Sequence, residues 1–465
     1  MERPIDFIEE VETRYPVTSA TARGVQVWPF LRQVYFTQYF RSVMGRQPVK
    51  HVAVSKELKR VANLPYGLSR WFRRYECVFL SSPLYRRRVG GEFVDKHGDW
   101  MLRELGKDKV LTILNTVSEG GADYRRVLNP HEHLVSCDPF NFVAVWPMRF
   151  GPEAIVNGSV LDQINEEYGL AVDHEKIVGS FFRLVTAFTR MLKVWQPRVL
   201  LVACYYNRIH QAAVYAANRA GIQTVELQHG RINRAHPAYN VFCPCESTCF
   251  PRHLLCYGEY VRECFGGGNH LVPRENVRAV GSGYIDYVRS SEEDTSSLQD
   301  ALSGYRFSVA VTSIVRIDDE IIAFVKSVAA RDDSILYVFI PRNWDRDYAG
   351  MGFPANVRLF PELDFYRIAK HADFHATVHS TTALEAPALG TPNILIDIEG
   401  MARSYIADLL DNEEVTKIVS TEEDFVRTVK TWQPKPREEI VRIHSRFFEP
   451  NHVEKVRNFL ATLAG

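Results

Sequence analysis

Apolar residues along this chain fall into short continuous runs separated by stretches with helical spacing, the rhythm of a parallel-sheet protein. The clearest unit covers residues 196–230, QPRVLLVACYYNRIHQAAVYAANRAGIQTVELQHG. Residues 198–203 suit a strand covered on both faces, and 209–220 predict an Ala-rich helix. Gly221 stands where a helix end wants a positive φ. Residues 224–227 predict a second strand, broken by Gln228, His229 and Gly230. That is a βαβ crossover.

A second series begins near residue 306. The pattern predicts strands over 307–312, 335–340, 374–378 and 393–397, with helices over 319–330, 365–371 and 382–389, the last closed by Gly390. Residues 290–303 are hydrophilic and have the composition of a linker. Residues 437–463 predict one or two amphipathic helices, and 78–81 and 110–114 read as strands. The expected fold class is α/β, with two Rossmann-like domains facing across a cleft onto which the strands' C-terminal ends open. The expected divisions are a first domain over 1–289, a linker over 290–303, a second domain over 304–440, and a C-terminal helix over 441–465 packing back toward the first.

With 465 residues the chain is too long for one core to grow efficiently, which agrees with two domains. Lys plus Arg and Asp plus Glu number 56 each, so net charge gives no sign of a nucleic-acid partner. The acid-bearing start MERPIDFIEEVETRYPV is unlike a secretion signal, and no apolar run approaches the length of a membrane span. Eight cysteines then read as reduced thiols, and the expected location is cytoplasmic. One local patch stands out: Arg41 to Arg74 holds nine basic residues against the single acid Glu57. It suits peripheral contact with anionic headgroups at the inner face of a membrane, or an anionic acceptor. A solvated helical face would look the same.

Chemistry concentrates in residues 378–392, VHSTTALEAPALGTP. A strand ends, His379, Ser380, Thr381 and Thr382 follow, and a helix begins. Hydroxyls and free N–H groups at a helix start bind anions. Glu385, one turn on, can accept hydrogen bonds from the two hydroxyls of a ribose. The same residues also suit a plain N-cap with a first-turn acid. His229, at the C-terminal edge of the first sheet, could serve as base toward an acceptor hydroxyl, as donor to a phosphate, or as a structural residue fixing the turn 228–230, and Gln228 is expected on the acceptor side. Among the acids Glu92, Asp95, Asp99 and Glu119, Asp95 and Asp99 would share a helix face if 93–105 is helical, and one could then act as base. Arg86, Arg87 and Arg88 with Gly90-Gly91 read as a mobile basic loop on the acceptor side, and Arg342, after a strand of the second half, is with His379 a candidate for binding the donor phosphates.

Two signals are discounted. Cys243, Cys245, Cys249 and Cys256 near His253 match no common zinc spacing, and Asp345-Arg346-Asp347 reads as loop acids, so no metal is expected. No P-loop or G-x-G-x-x-G accompanies either sheet.

The Ser/Thr turn followed by Glu-Ala-x-x-Leu-Gly-x-Pro resembles the nucleotide-binding segment of GT-B glycosyltransferases and UDP-N-acetylglucosamine 2-epimerases. VELQHG (225–230), HPAYN (236–240), PRHLLCYGEY (251–260) and VGSGYID (280–286) keep the order found in bacterial capsule and lipopolysaccharide transferases, and residues 79–100 resemble that group's acceptor-side loop. The resemblance implies that Ser380, Thr381 and Thr382 hold donor phosphates and that Glu385 holds ribose. It implies a GT-B glycosyltransferase that needs no metal or cofactor beyond its nucleotide-sugar co-substrate, acting on a glycan or lipid-linked acceptor in capsule or lipopolysaccharide assembly. The second domain would bind the nucleotide and the first the acceptor. One departure stands out: Ile340 occupies the place where many relatives carry His before Pro-Arg. The alternatives are a CDP-polyol phosphotransferase of the CDP-glycerol glycerophosphotransferase type, a hydrolysing 2-epimerase, and a non-catalytic sugar- or partner-binding module.

Overall fold

The computed structural model describes residues 5–43, 67–116, 128–129, 131–145, 153–265, 271–292, 294–342, 346–406, 409–410 and 412–464. The chain divides into two units, Met1–Val280 with His452–Gly465, and Gly281–Asn451.

The first unit is built on a seven-stranded parallel sheet. Its spatial order is Val277–Ala279, His253–Cys256, Gln223–Leu227, Val199–Ala203, Cys77–Ser81, Val110–Leu114 and His133–Ser136. Numbered along the chain that is 7-6-5-4-1-2-3, so the order reverses between Cys77–Ser81 and Val199–Ala203. The strands Cys77–Ser81, Val110–Leu114 and Val199–Ala203 are buried at every position, because both faces are covered. One face packs on Trp28, Phe181, Phe188 and Trp195. The other packs on Met101, Val456 and Phe459, which brings the helix His452–Ala464 into this unit. The helix His174–Trp195 starts on Asp173, whose side chain accepts from the Lys176 N–H, and Asn207 caps Arg208–Arg219 in the same way. Near the N-terminus Trp28 Nε1 and Arg32 Nε both donate to the buried Glu12 carboxylate at 2.8 Å, and Arg32 also donates to the carbonyls of Pro237 and Asn240.

The second unit carries a six-stranded parallel sheet, in the order Val357–Arg358, Ile335–Ile340, Phe307–Thr312, Phe374–Thr377, Asn393–Ile396 and Thr416–Val419. This is the 3-2-1-4-5-6 arrangement of a Rossmann sheet, reversing between Phe307–Thr312 and Phe374–Thr377.

Several boundaries differ from expectation. Residues 290–303 are not simply a linker: Ser296–Ser303 is a helix whose Leu298 and Ala301 are buried against Ala310 and Leu336. Its polar residues face outward, which is what made it look like a tether. Residues 281–289, grouped by sequence with the first domain, open the second unit. The expected C-terminal helix over 441–465 is split, with 441–451 in the second unit and His452–Gly465 in the first. Gly281 shows why its motif needs glycine, since it has φ +76° and a Cβ there would lie 1.9 Å from the Glu449 carbonyl oxygen. Most of the basic stretch 41–74 lies outside the described residues. Among the described residues no helix is long and apolar enough to cross a membrane.

Candidate functional site

In the second unit the hydroxyl-rich bend sits where the sheet order reverses. Ligands of open α/β sheets bind at that point, beyond the strands' C-terminal ends. The strand Phe374–Thr377 ends, and the helix Thr382–Ala388 begins after the bend. A buried relay pins the helix start to the sheet. Asn393 Nδ2 donates to the Ala383 carbonyl at 2.6 Å, so its Oδ1 accepts from His375 Nδ1–H at 2.8 Å. His375 Nε2 then accepts from the Thr312 hydroxyl at 2.9 Å, and Thr312 accepts from the Thr382 hydroxyl at 2.8 Å. Burial pushes the His375 pKa down to about 4, against the bond to Asn393, so the ring is neutral at pH 7.

Thr382 is thereby committed inward. Ser380 is half-buried, Thr381 is exposed, and the backbone N–H groups of both lack a protein acceptor among the described residues. The Ser380 hydroxyl accepts from the Thr382 N–H at 3.3 Å. Glu385 is half-buried, and its Oε1 accepts from the Tyr366 hydroxyl at 2.7 Å. Tyr366 packs edge-on against Tyr284, whose hydroxyl donates to Asp364. Tyr366 was not among the sequence candidates, and nothing local in its surroundings marks it. His379 lies 4.9 Å from the ring of Tyr405, and Arg342 is exposed just past Ile335–Ile340. Asp345 lies outside the described residues, while Arg346 is bonded to Asp318 and Asp319.

In the first unit His229 follows the strand Gln223–Leu227. Its Nε2 is hydrogen-bonded to the Tyr206 hydroxyl at 3.0 Å, and its Nδ1 is shut from solvent without a partner. Burial is the main cause that brings its pKa down to about 3, with His236, Lys96 and His210 adding to it. Gln228 braces the turn: its amide donates to the Gly230 carbonyl and accepts from the Tyr257 N–H, both at 2.7 Å. The same neighbourhood holds residues the sequence reading passed over. Glu226, fully buried, accepts from the Tyr205 N–H at 3.1 Å and the Tyr239 hydroxyl at 2.9 Å, and burial pushes it up to about 8. His97 pairs with the Tyr257 hydroxyl at 2.8 Å.

The expected carboxylate bases are not free. Asp95 ends the strand Glu92–Asp95 and Asp99 starts the helix Asp99–Leu105, so they share no helix face. Asp95 accepts from the Ser81 hydroxyl and from the N–H groups of His97 and Gly98, which ties the turn together. Burial raises its pKa against those bonds. Asp99 is ion-paired with Arg103 at 2.8 Å and Lys107 at 3.0 Å. Glu92 is exposed on the same hairpin, and Glu119 lies outside the described residues.

The basic loop is likewise corrected. Arg86–Val89 and Glu92–Asp95 form an antiparallel hairpin, turned by Gly90 at φ +55° and Gly91 at φ +88°. Arg86 is buried and paired with Glu132, and Arg87 donates to the carbonyls of Leu84 and Arg86 at 2.8 Å. Arg88 is exposed.

The cysteines do not assemble as one set. Cys243 and Cys245 have their sulfurs 3.4 Å apart beside Glu12, but that carboxylate is already taken by Arg32, Trp28 and the Phe242 N–H. A guanidinium at that position opposes a cation. Cys256 lies in a strand, with its thiol directed at the carbonyls of Gly258 and Arg278.

No protein-family profile matches the chain, and no curated protein matches its sequence. Solved structures do match. A UDP-N-acetylglucosamine 2-epimerase aligns with a TM-score of 0.50 at 12% identity, over 84% of this chain and 95% of its own. The fold is GT-B. A 2-epimerase from Methanocaldococcus jannaschii gives 0.49 at 12% identity, over 84% and 99% of the two chains. The glycosyltransferase SnogD from Streptomyces nogalater gives 0.46 at 15% identity, over 84% and 100%. At such identities what is shared is the fold.

Proposed function

We propose that this protein is a glycosyltransferase that moves a sugar from a nucleotide-activated donor to a glycan or lipid-linked acceptor in surface-polysaccharide assembly. The observation that carries the reading is the bend at Ser380 and Thr381, with its unpaired N–H groups at the reversal point of the second sheet and Glu385 one turn on. The order of motifs seen in sequence supports it, as does a structural relative named for a UDP-sugar.

In this reading the N–H groups and hydroxyls of Ser380 and Thr381, with Arg342, hold the diphosphate, and Glu385 accepts from the ribose. Asp95 and Asp99 are fully engaged, and this reading places His229 at the acceptor. With Nε2–H donating to the Tyr206 oxygen, Nδ1 carries the free lone pair, and it must be uncovered before an acceptor hydroxyl can hand it a proton. The new bond forms at the anomeric carbon as its bond to phosphate breaks, and the nucleotide leaves with the charge. A hydrolysing 2-epimerase is the second reading, favoured by the epimerase fold match.

The two separate in one assay. Protein is given UDP-, GDP-, CDP- or dTDP-sugars with and without a glycan acceptor. Transfer predicts nucleotide release that rises with acceptor and a product one sugar longer. Release from a UDP-sugar with inverted configuration at C2 and no need of acceptor would replace it with the epimerase. A response to CDP-polyols alone would favour the phosphotransferase, and no turnover of any donor would favour a binding module.

A further inference from the structure

A cavity of the first unit, about 520 Å³ beside Phe142 and Phe182, is lined by none of the candidate residues. A smaller one, about 260 Å³, opens among the helices Trp28–Val43, His174–Trp195 and Arg208–Arg219. Its lining carries two cations, Arg41 and Arg208, and no carboxylate. Neither guanidinium has an acidic partner among the described residues. Both side chains are exposed, and desolvation and then the charge of Arg183 lower the Arg208 pKa.

One buried amide faces the same space. Gln211 is only 3% exposed, lines the cavity, and its side chain has no hydrogen-bond partner among the described residues. Buried amides are normally satisfied, so one left open at a cavity points to a ligand that supplies a hydroxyl. Val34 and Ile177, both half-buried, give the site an apolar side against which a ring can lie. Tyr206 forms a wall of the cavity, and its hydroxyl is the one bonded to His229. The volume falls below the roughly 300–1,000 Å³ usual for drug-sized ligands, which suits one sugar ring and excludes a nucleotide.

We propose that this cavity binds one acidic hexose, a ring bearing a carboxylate or a phosphate, as a unit of the acceptor. The acceptor role rests on the transferase reading, whereas the binding itself does not.

The test titrates the full chain, without nucleotide and at fixed ionic strength, with glucuronate, glucose 6-phosphate, glucose and inorganic phosphate. One acidic sugar should bind at least about tenfold more tightly than glucose, and which of the two does so identifies the charged group. Arg208→Gln and Gln211→Met should each weaken that binding about tenfold, while UDP affinity stays unchanged. Gln211→Met conserves volume in a buried position, and Arg41→Gln repeats the charge test at the second guanidinium should Arg208→Gln fail to fold. The proposal is overturned if neither acidic sugar binds at millimolar concentration, if glucose binds equally well, if phosphate alone matches glucose 6-phosphate, or if the variants bind as the parent does. Loss of UDP binding with sugar binding intact would remove the transferase reading and leave the cavity's assignment standing.

Discussion

Acidification should destabilise the second unit through His375, and the size of the effect follows from its burial. The ring is fully enclosed, bonded on both nitrogens, and held neutral with its pKa near 4. In the unfolded chain the same group titrates near 6.5. A depressed folded pKa contributes stability that is present above the unfolded value and lost as pH falls toward the folded one. Between pH 6.5 and 5 the unfolded state holds about one more proton, worth about 1.4 kcal/mol per pH unit, or about 2 kcal/mol in all. His444, also buried near 4 and hydrogen-bonded to the Leu384 carbonyl, adds a similar amount. The assay is urea unfolding at pH 7 and pH 5, followed by hydrogen exchange in peptides covering 307–312 and 374–377, so that this unit is read by itself. His375→Gln removes the titrating group and keeps polar atoms facing Thr312 and Asn393. The variant should lose about 2 kcal/mol less than the parent over that pH interval, whatever its stability at pH 7. Equal pH dependence in parent and variant would refute the reasoning.

Two further outcomes concern the first unit. His229 is neutral down to about pH 3, so kcat/KM should show no limb near pH 6.5 from this residue, and His229→Gln should cut turnover at least a hundredfold (about 2.7 kcal/mol of barrier) with an unchanged unfolding midpoint; a limb near 6.5 that vanishes in the variant would contradict the neutral assignment. Arg32→Met strands the buried Glu12 carboxylate and releases the carbonyls of Pro237 and Asn240, so it should cost about 3–5 kcal/mol in denaturant unfolding, and a loss under 1 kcal/mol would show that the pair is not buried as described.

Much of the architecture was legible because it is local. The strands Val110–Leu114, Phe307–Thr312 and Ile335–Ile340 and the helix Phe365–His371 match their expected spans, since each is a continuous apolar run or a full helical period. The crossover over 196–230 was equally plain. What escaped depends on distant partners. Arg86 looks like a solvated cation until Glu132 is brought to it by the fold, and Asp99 looks like a free acid until Lys107 folds back on it. The i, i+4 spacing of Asp95 and Asp99 suggested one helix, but the hairpin interrupts it, and two consecutive positive-φ glycines were the available signal. The helix Ser296–Ser303 buries only Leu298 and Ala301, too little apolar surface to register as a period. In the candidate site the bend and Glu385 could be read from sequence. Tyr366, Tyr206 and the relay through His375 could not, because each is assembled from separate strands and helices.

The most direct test of the nucleotide assignment is the affinity of the full chain for UDP, GDP, CDP and dTDP, measured by calorimetry on the parent and on Glu385→Ala. Parent protein should bind at least one of them, and the variant should bind it at least about tenfold more weakly, the loss expected for charge-assisted hydrogen bonds to a ribose. Identical affinity in the two proteins, or no binding of any nucleotide by the parent, would contradict the account.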